Sequence, residues 1–151
     1  MRYGRSTLSL FVLALHASCG GAAVPTAPGD DSEEPQMERI IKQLASFKAD
    51  IQEIFVRKGC TSVLNCHGIG QGGLTLGTNA VTNHLNLVNV PAESESQFLL
   101  VKPLDAVNSY VIIRLENRQT VGLQMPGDGG RLDSIDLTNL KTWINNGAPN
   151  N

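Results

Sequence analysis

Residues 59–68 read GCTSVLNCHG. Two thiols stand in this stretch, Cys60 and Cys66, with five residues between them, and His67 follows the second directly. The stretch also ends what precedes it. Met37, Ile40, Ile41 and Leu44, then Phe47, Ile51, Ile54 and Phe55, recur at three- and four-residue spacing, the mark of an amphipathic helix or of two joined ones. Gly59 stands where such a helix stops, so Cys60 is expected just past the C-terminus of the first helix of the folded region.

Downstream, a helix is expected from about Ser134 to Asn146. Asp133 is its N-cap, Asp136 lies in its acidic first turn, and Gly147 follows its end. Its apolar face is Leu137, Leu140, Trp143 and Ile144. Residues 107–115, VNSYVIIRL, are ambiguous on their own: Val111, Ile112 and Ile113 favour a strand, while Tyr110, Ile113 and Arg114 share a helical face. A short helical turn is expected around Thr82 to Leu87, before Pro91. The glycine-rich segments 68–77 and 127–130 read as loops. There is no internal repeat.

The N-terminus reads as an export signal over residues 1–19. Arg2 and Arg5 precede an apolar run from Leu8 to Leu15, too short to span a membrane, and small residues follow up to Cys19-Gly20-Gly21. Ala17-Ser18 before Cys19 resembles a lipoprotein cleavage site, which makes Cys19 the expected lipidation site; His16 stands where such sites usually carry Leu. Ordinary cleavage near Ala22-Ala23 is the alternative. Residues 20–36, GGAAVPTAPGDDSEEPQ, cannot bury enough apolar surface to fold and read as a flexible linker. The folded domain is then 37–151. Its chain is mildly acidic, with formal charge -2 for the whole sequence, and lacks the clustered Lys and Arg that nucleic acid or anionic lipid would demand. The only membrane attachment expected is the N-terminal lipid, and the location is the periplasm or the outer membrane.

Two thiols followed at once by an imidazole have a specific chemical meaning. In the c-type haem attachment signature, C-x-x-C-H, the thiols add to the two vinyl groups and the histidine sits beneath the iron. Cys66 and His67 meet the second half of that requirement. A sixth iron ligand is commonly a thioether, and Met125, followed by Pro126, is the candidate; on the residues alone, a core-filling role is equally open. With only four Phe, two Tyr and one Trp, the domain has few large groups with which to build a core, so a buried cofactor would add useful apolar area. Two other readings of the cysteines stay open. One is a Cys60–Cys66 disulfide, natural in an exported protein. The other is a Cys/His/Met copper site, for which His84 is the further candidate ligand, although it reads as an ordinary helix or loop histidine. GIGQGG at 68–73 fails as a phosphate loop because no strand precedes it. Asp128 in GDGG is a weak calcium candidate, lacking further acidic spacing. No catalytic triad can be nominated.

Taken together, IQEIFVRKGCTSVLNCHG at 51–68, GGLTL at 72–76, VKPLDAVNSYVIIRL at 101–115 and QMPGDGGRLDSIDLTNLKTWINNGA at 124–148 resemble, in order, the bacterial cytochrome c-like domains of the class I cytochrome c family. The resemblance covers roughly residues 47–148. It implies an all-α domain whose first and last helices cross, preceded by the signal and linker, and it makes residues 107–115 a helix. It implies haem c, with Cys60 and Cys66 as attachment points, His67 as proximal and Met125 as distal iron ligand. The implied role is that of an electron carrier, not an enzyme, serving redox protein partners. The chain departs from the family at the cysteines, where two or four intervening residues are usual, so a haem held by Cys66, His67 and Met125 alone is a further option. The rival of another class is a haem-free member of the same fold, stapled by a Cys60–Cys66 disulfide and acting as a binding or structural module. A peroxidase-like use of the haem would need an open distal side in place of Met125.

Overall fold

The helix announced by Phe47, Ile51, Ile54 and Phe55 forms, but the described residues before it, 39–46, do not join it. A computed structural model describes residues 39–64, 66–127 and 130–151. The signal segment, Cys19, the linker, Met37 and Asp128 lie outside the described residues. A π-helical turn, Phe47–Ile51, runs directly into α1, Gln52–Arg57. Two short 3-10 turns follow at His67–Ile69 and Gln71–Gly73, then α2 (Ala80–Leu87), α3 (Tyr110–Leu115) and α4 (Ser134–Asn145). The described residues contain no strand, only isolated bridges such as Val88 with Val101. No described helix is long and apolar enough to cross a membrane.

Over the described residues 39–46 the expected helical start is corrected, for two reasons. Ser46 is extended and its Oγ accepts the Ala49 N–H at 3.3 Å, so the helix begins after it. The backbone before it finds its partner on α4: Asn139 Oδ1 accepts the Lys42 N–H at 2.7 Å, and Asn139 Nδ2 donates to the Ile40 carbonyl at 2.9 Å. With those groups satisfied by a side-chain amide, a helix there has nothing to add. Ile40, Ile41 and Leu44 are left exposed; their spacing continued the periodicity by sequence only.

The core forms where the periodic faces meet. Phe47, Ile51, Ile54 and Phe55 are buried together with Leu140, Trp143 and Ile144 of α4. The Phe47 ring lies 5.0 Å from that of Trp143 and 6.4 Å from that of Phe55, and the Trp143 Nε1–H is spent on the Pro149 carbonyl at 2.9 Å, as a buried indole requires. The first helical turn is closed by residue 151: Asn151 Oδ1 and its backbone oxygen accept the N–H groups of Phe47 and Lys48, each at 2.9 Å. Asp133 caps α4 through the N–H groups of Ile135 and Asp136. Asp136, buried in the first turn, pairs with Arg57 at 2.8 Å, which ties the start of α4 to the end of α1.

The ambiguous 107–115 segment is helical from Tyr110, with Ile112 and Ile113 both buried. Its N-terminal amides are taken by the neighbouring segment, Tyr110 N–H to Leu99 O at 2.8 Å and Val111 N–H to Leu100 O at 3.0 Å. α2 starts two residues earlier than Thr82, with Asn79 accepting from the Thr82 N–H. Buried Asn83 then joins α2 to α1: its Nδ2 donates to Gln52 Oε1 and to Gly77 O, both at 2.7 Å, while its Oδ1 accepts the Gly77 N–H at 2.8 Å. This fixes the end of the 72–76 segment over the first helix.

Candidate functional site

The cysteine loop is built from the end of α1 upward. Gly59, at φ 70°, takes the left-handed position that ends a helix without steric cost. Its N–H donates to Val56 O at 3.0 Å and the Cys60 N–H to Phe55 O at 2.8 Å, the paired bonds of a Schellman stop. The position of Cys60 is therefore fixed by the helix itself, and its side chain is half-buried against the core.

From there the chain loops out and returns. The His67 N–H donates to the Cys60 carbonyl at 3.1 Å, and the Gly68 N–H to Ser62 O at 3.1 Å. The described residues between the cysteines, 61–64, lead outward: Val63 and Leu64 are 68% and 79% exposed. Gly68 makes the closure possible. A Cβ on it would lie 2.4 Å from the Thr61 oxygen and 2.5 Å from that of Ser62, so a side chain there would push the loop open. Cys66 is half-buried, and no disulfide joins it to Cys60.

His67 is oriented by the turn that follows it. Its Nδ1 lies 2.8 Å from the Gln71 carbonyl, which fixes that nitrogen as the protonated one and leaves Nε2 as the basic nitrogen of the ring. Its own carbonyl accepts the Leu76 N–H at 2.9 Å, joining the Cys-His-Gly turn to the Leu74–Leu76 segment, whose leucines are buried. Cys60, Cys66 and His67 therefore belong to one closed unit.

Met125 belongs to another. It stands in the loop after α3, its N–H donating to Arg114 O at 3.1 Å; Gln124 Nε2 reaches Leu115 O at 2.8 Å. Met125 is half-buried, outside the buried hydrophobic core. His84 is accounted for by the fold. Its Nε2 lies 2.8 Å from Ala148 O and its ring meets Phe47 edge-on at 5.1 Å, which makes it a link between α2 and the residues after α4.

One group at the Met125 loop was not foreshadowed by any local pattern. Glu95, in the polar run Glu93-Ser94-Glu95-Ser96, is only 5% exposed while Glu93 is exposed. It accepts from Thr120 Oγ1 at 2.8 Å and from the Tyr110 hydroxyl at 3.0 Å. The Thr120 hydroxyl, with help from Tyr110, holds its carboxyl below the ordinary range against the opposing effect of burial. A surface depression lined by Gln97, Phe98, Leu99, Lys102 and Asn108 shares no residue with the cysteine loop or the Met125 loop.

Comparison with family models, with curated proteins and with solved structures finds no match to this chain.

Proposed function

We propose that this chain is an exported, lipid-anchored monohaem cytochrome c-like protein that passes single electrons between redox partners, its iron held by His67 and Met125. The observation that carries the reading is the hydrogen bond from the His67 N–H to the Cys60 carbonyl at 3.1 Å. It supports the reading despite the long spacing, because it brings the Cys60 backbone back to His67 while Val63 and Leu64 lie exposed.

The donor set fits a covalent haem on two further counts. His67 keeps Nε2 as its basic nitrogen because Nδ1 is engaged by Gln71 O. Apolar side chains stand exposed beside both candidate ligands, Val63, Leu64 and Ile69 near His67 and Val121 and Leu123 near Met125, which suits a large flat apolar ligand. When bound, the group would supply one-electron chemistry at a potential raised by a Met/His ligand pair. The chain's own contribution is to hold the imidazole in one tautomer, to present two thiols from a loop closed by Gly68, and to keep the thioether on a loop tied to α3. The all-helical architecture agrees with the fold that the resemblance implies.

The deciding experiment is expression with export and haem-maturation machinery, followed by a denaturing gel stained for haem and intact mass. The expected product is red and keeps its haem after denaturation; Cys66→Ser loses it, while Cys60→Ser separates attachment through two thiols from attachment through one. A colourless product whose two thiols resist alkylation until reduced would replace this reading with the disulfide-stapled module.

A further inference from the structure

We infer that Glu95 is a positioning residue for Met125, a buried carboxylate that fastens the loop carrying the thioether to α3. The inference rests on the proposed ligation of iron by Met125. A carboxylate removed from water is costly unless its oxygens are hydrogen-bonded, and among the described residues the partners of Glu95 come from α3 and from the loop, where the Val121 N–H joins those of Thr120. Tyr110, the first residue of α3, donates its hydroxyl at 3.0 Å. Thr120, in the loop, donates its hydroxyl at 2.8 Å and its N–H at 3.3 Å. Glu95 therefore belongs to neither element and joins both.

The same junction is gripped from its other side by Arg114, one helical turn after Tyr110. Its Nη1 donates to Val121 O at 3.0 Å and to the Tyr110 hydroxyl at 3.4 Å, and the guanidinium lies 5.8 Å from the centre of the Tyr110 ring. Gly122, at φ 80°, allows the approach, since a Cβ on it would lie 2.8 Å from Arg114 Nη1. Arg114 then takes the Met125 N–H on its own carbonyl. At the α3 surface Thr120 is thus held by the Glu95 carboxylate, Val121 by the Arg114 guanidinium and Met125 by the Arg114 backbone carbonyl. Without Glu95, Thr120 loses its acceptor, and this stretch of the loop is left to the bonds made by Arg114 at Val121 and Met125 and by Gln124 to Leu115 O.

The test uses the full haem-loaded chain and the variants Glu95→Ala, Glu95→Gln, Thr120→Ala and Tyr110→Phe. Thr120 is exposed, so its truncation tests the junction without disturbing the core should Glu95→Ala fail to fold. Three readouts are taken: amide hydrogen exchange at Val121 and Met125, the absorption signature of thioether ligation, and the rate at which added imidazole binds the ferric haem. Glu95→Ala and Thr120→Ala should speed exchange at both amides and imidazole binding by about tenfold or more. The His67 and Leu76 amides and the covalent haem should be unchanged, with Glu95→Gln in between. Unaltered imidazole binding in folded Glu95→Ala and Thr120→Ala overturns the inference, as does equal loosening of the His67 amide, which would mark general destabilisation. A wild-type protein that carries haem but lacks the thioether signature overturns the assignment of Met125 itself, and with it the role given to Glu95, before any variant is compared.

Discussion

The loop from Cys60 to Gly68 and the loop from Glu116 to Gly127 carry the two halves of the candidate site, and they are held by opposite means. The first closes on its own backbone: Cys60 to Phe55, His67 to Cys60, Gly68 to Ser62, with a glycine where the strands of the loop meet. The second is held largely by side chains that lie elsewhere in the sequence, Glu95, Tyr110 and Arg114, acting on Thr120 and Val121. A loop made of local main-chain bonds keeps its shape as long as the helix beneath it stands. A loop fastened by remote side chains can be loosened by a single substitution outside it. Under the proposed haem ligation, that division would place the rigid support at the attachment point and the adjustable one at the Met125 ligand.

The largest predicted effect removes the support that both loops share. Trp143→Ala deletes the indole packed on Phe47 and should cost about 3–5 kcal/mol, read by denaturant unfolding; both loops should then exchange their amides faster together. If only one responds, the two do not rest on a common core. Gly68→Ala should separate them. Its Cβ meets two backbone oxygens, so overpacking of about 1–3 kcal/mol is expected, with faster exchange at the His67 and Gly68 amides and no change at Met125.

Asp133→Ala should cost about 1 kcal/mol through loss of the α4 cap and leave both loops intact, while Asp133→Asn retains most of the cap. The carboxyl of Asp133 is lowered to about 2, first by the Asp136 N–H and then by Arg39. Its folded pKa lies below the ordinary value near 3.9, so its contribution is complete above about pH 4 and fades as the pH falls toward 2. The side chain is more than a third exposed, which keeps that contribution small. An acid titration of Asp133→Asn against the parent checks the sign: the stability gap should narrow at low pH. The smallest stability effect is expected from Met125→Leu, under about 1.5 kcal/mol by denaturant unfolding, together with complete loss of the thioether signature. A large loss of stability there would return Met125 to a packing role.

The same contrast governs how much could be read in the sequence. The end of α1 at Gly59, the Asp133 cap, the Leu137-Leu140-Trp143-Ile144 face and the placement of Cys60 at a helix terminus all depend on neighbours within a few residues, and all are legible. The helical start before Phe47 was misread because Ile40, Ile41 and Leu44 keep the right spacing, while the decision against helix is made by Asn139, which is distant in sequence. Residues 107–115 carried two valid patterns, and the segment around Leu99 settles them by taking the first amides of α3. Glu95 was invisible for a similar reason. A glutamate in a polar run signals solvent, and only the tertiary fold brings Tyr110 and Thr120 around it.

The bonds from Phe47 and Lys48 to Asn151 have a kinetic meaning. They join the first helical turn of the folded region to residue 151, and the Phe47–Trp143 contact spans nearly as far. Contacts of such sequence separation close late and slowly, so the Phe47 and Lys48 amides stay unpaired by Asn151 until residue 151 has arrived, although Ser46 can cap Ala49 locally. The Cys60–His67 turn, made of short-range bonds, does not have to wait. While the chain is still open, its two thiols are within reach of any chemistry that must act on them before the core shuts.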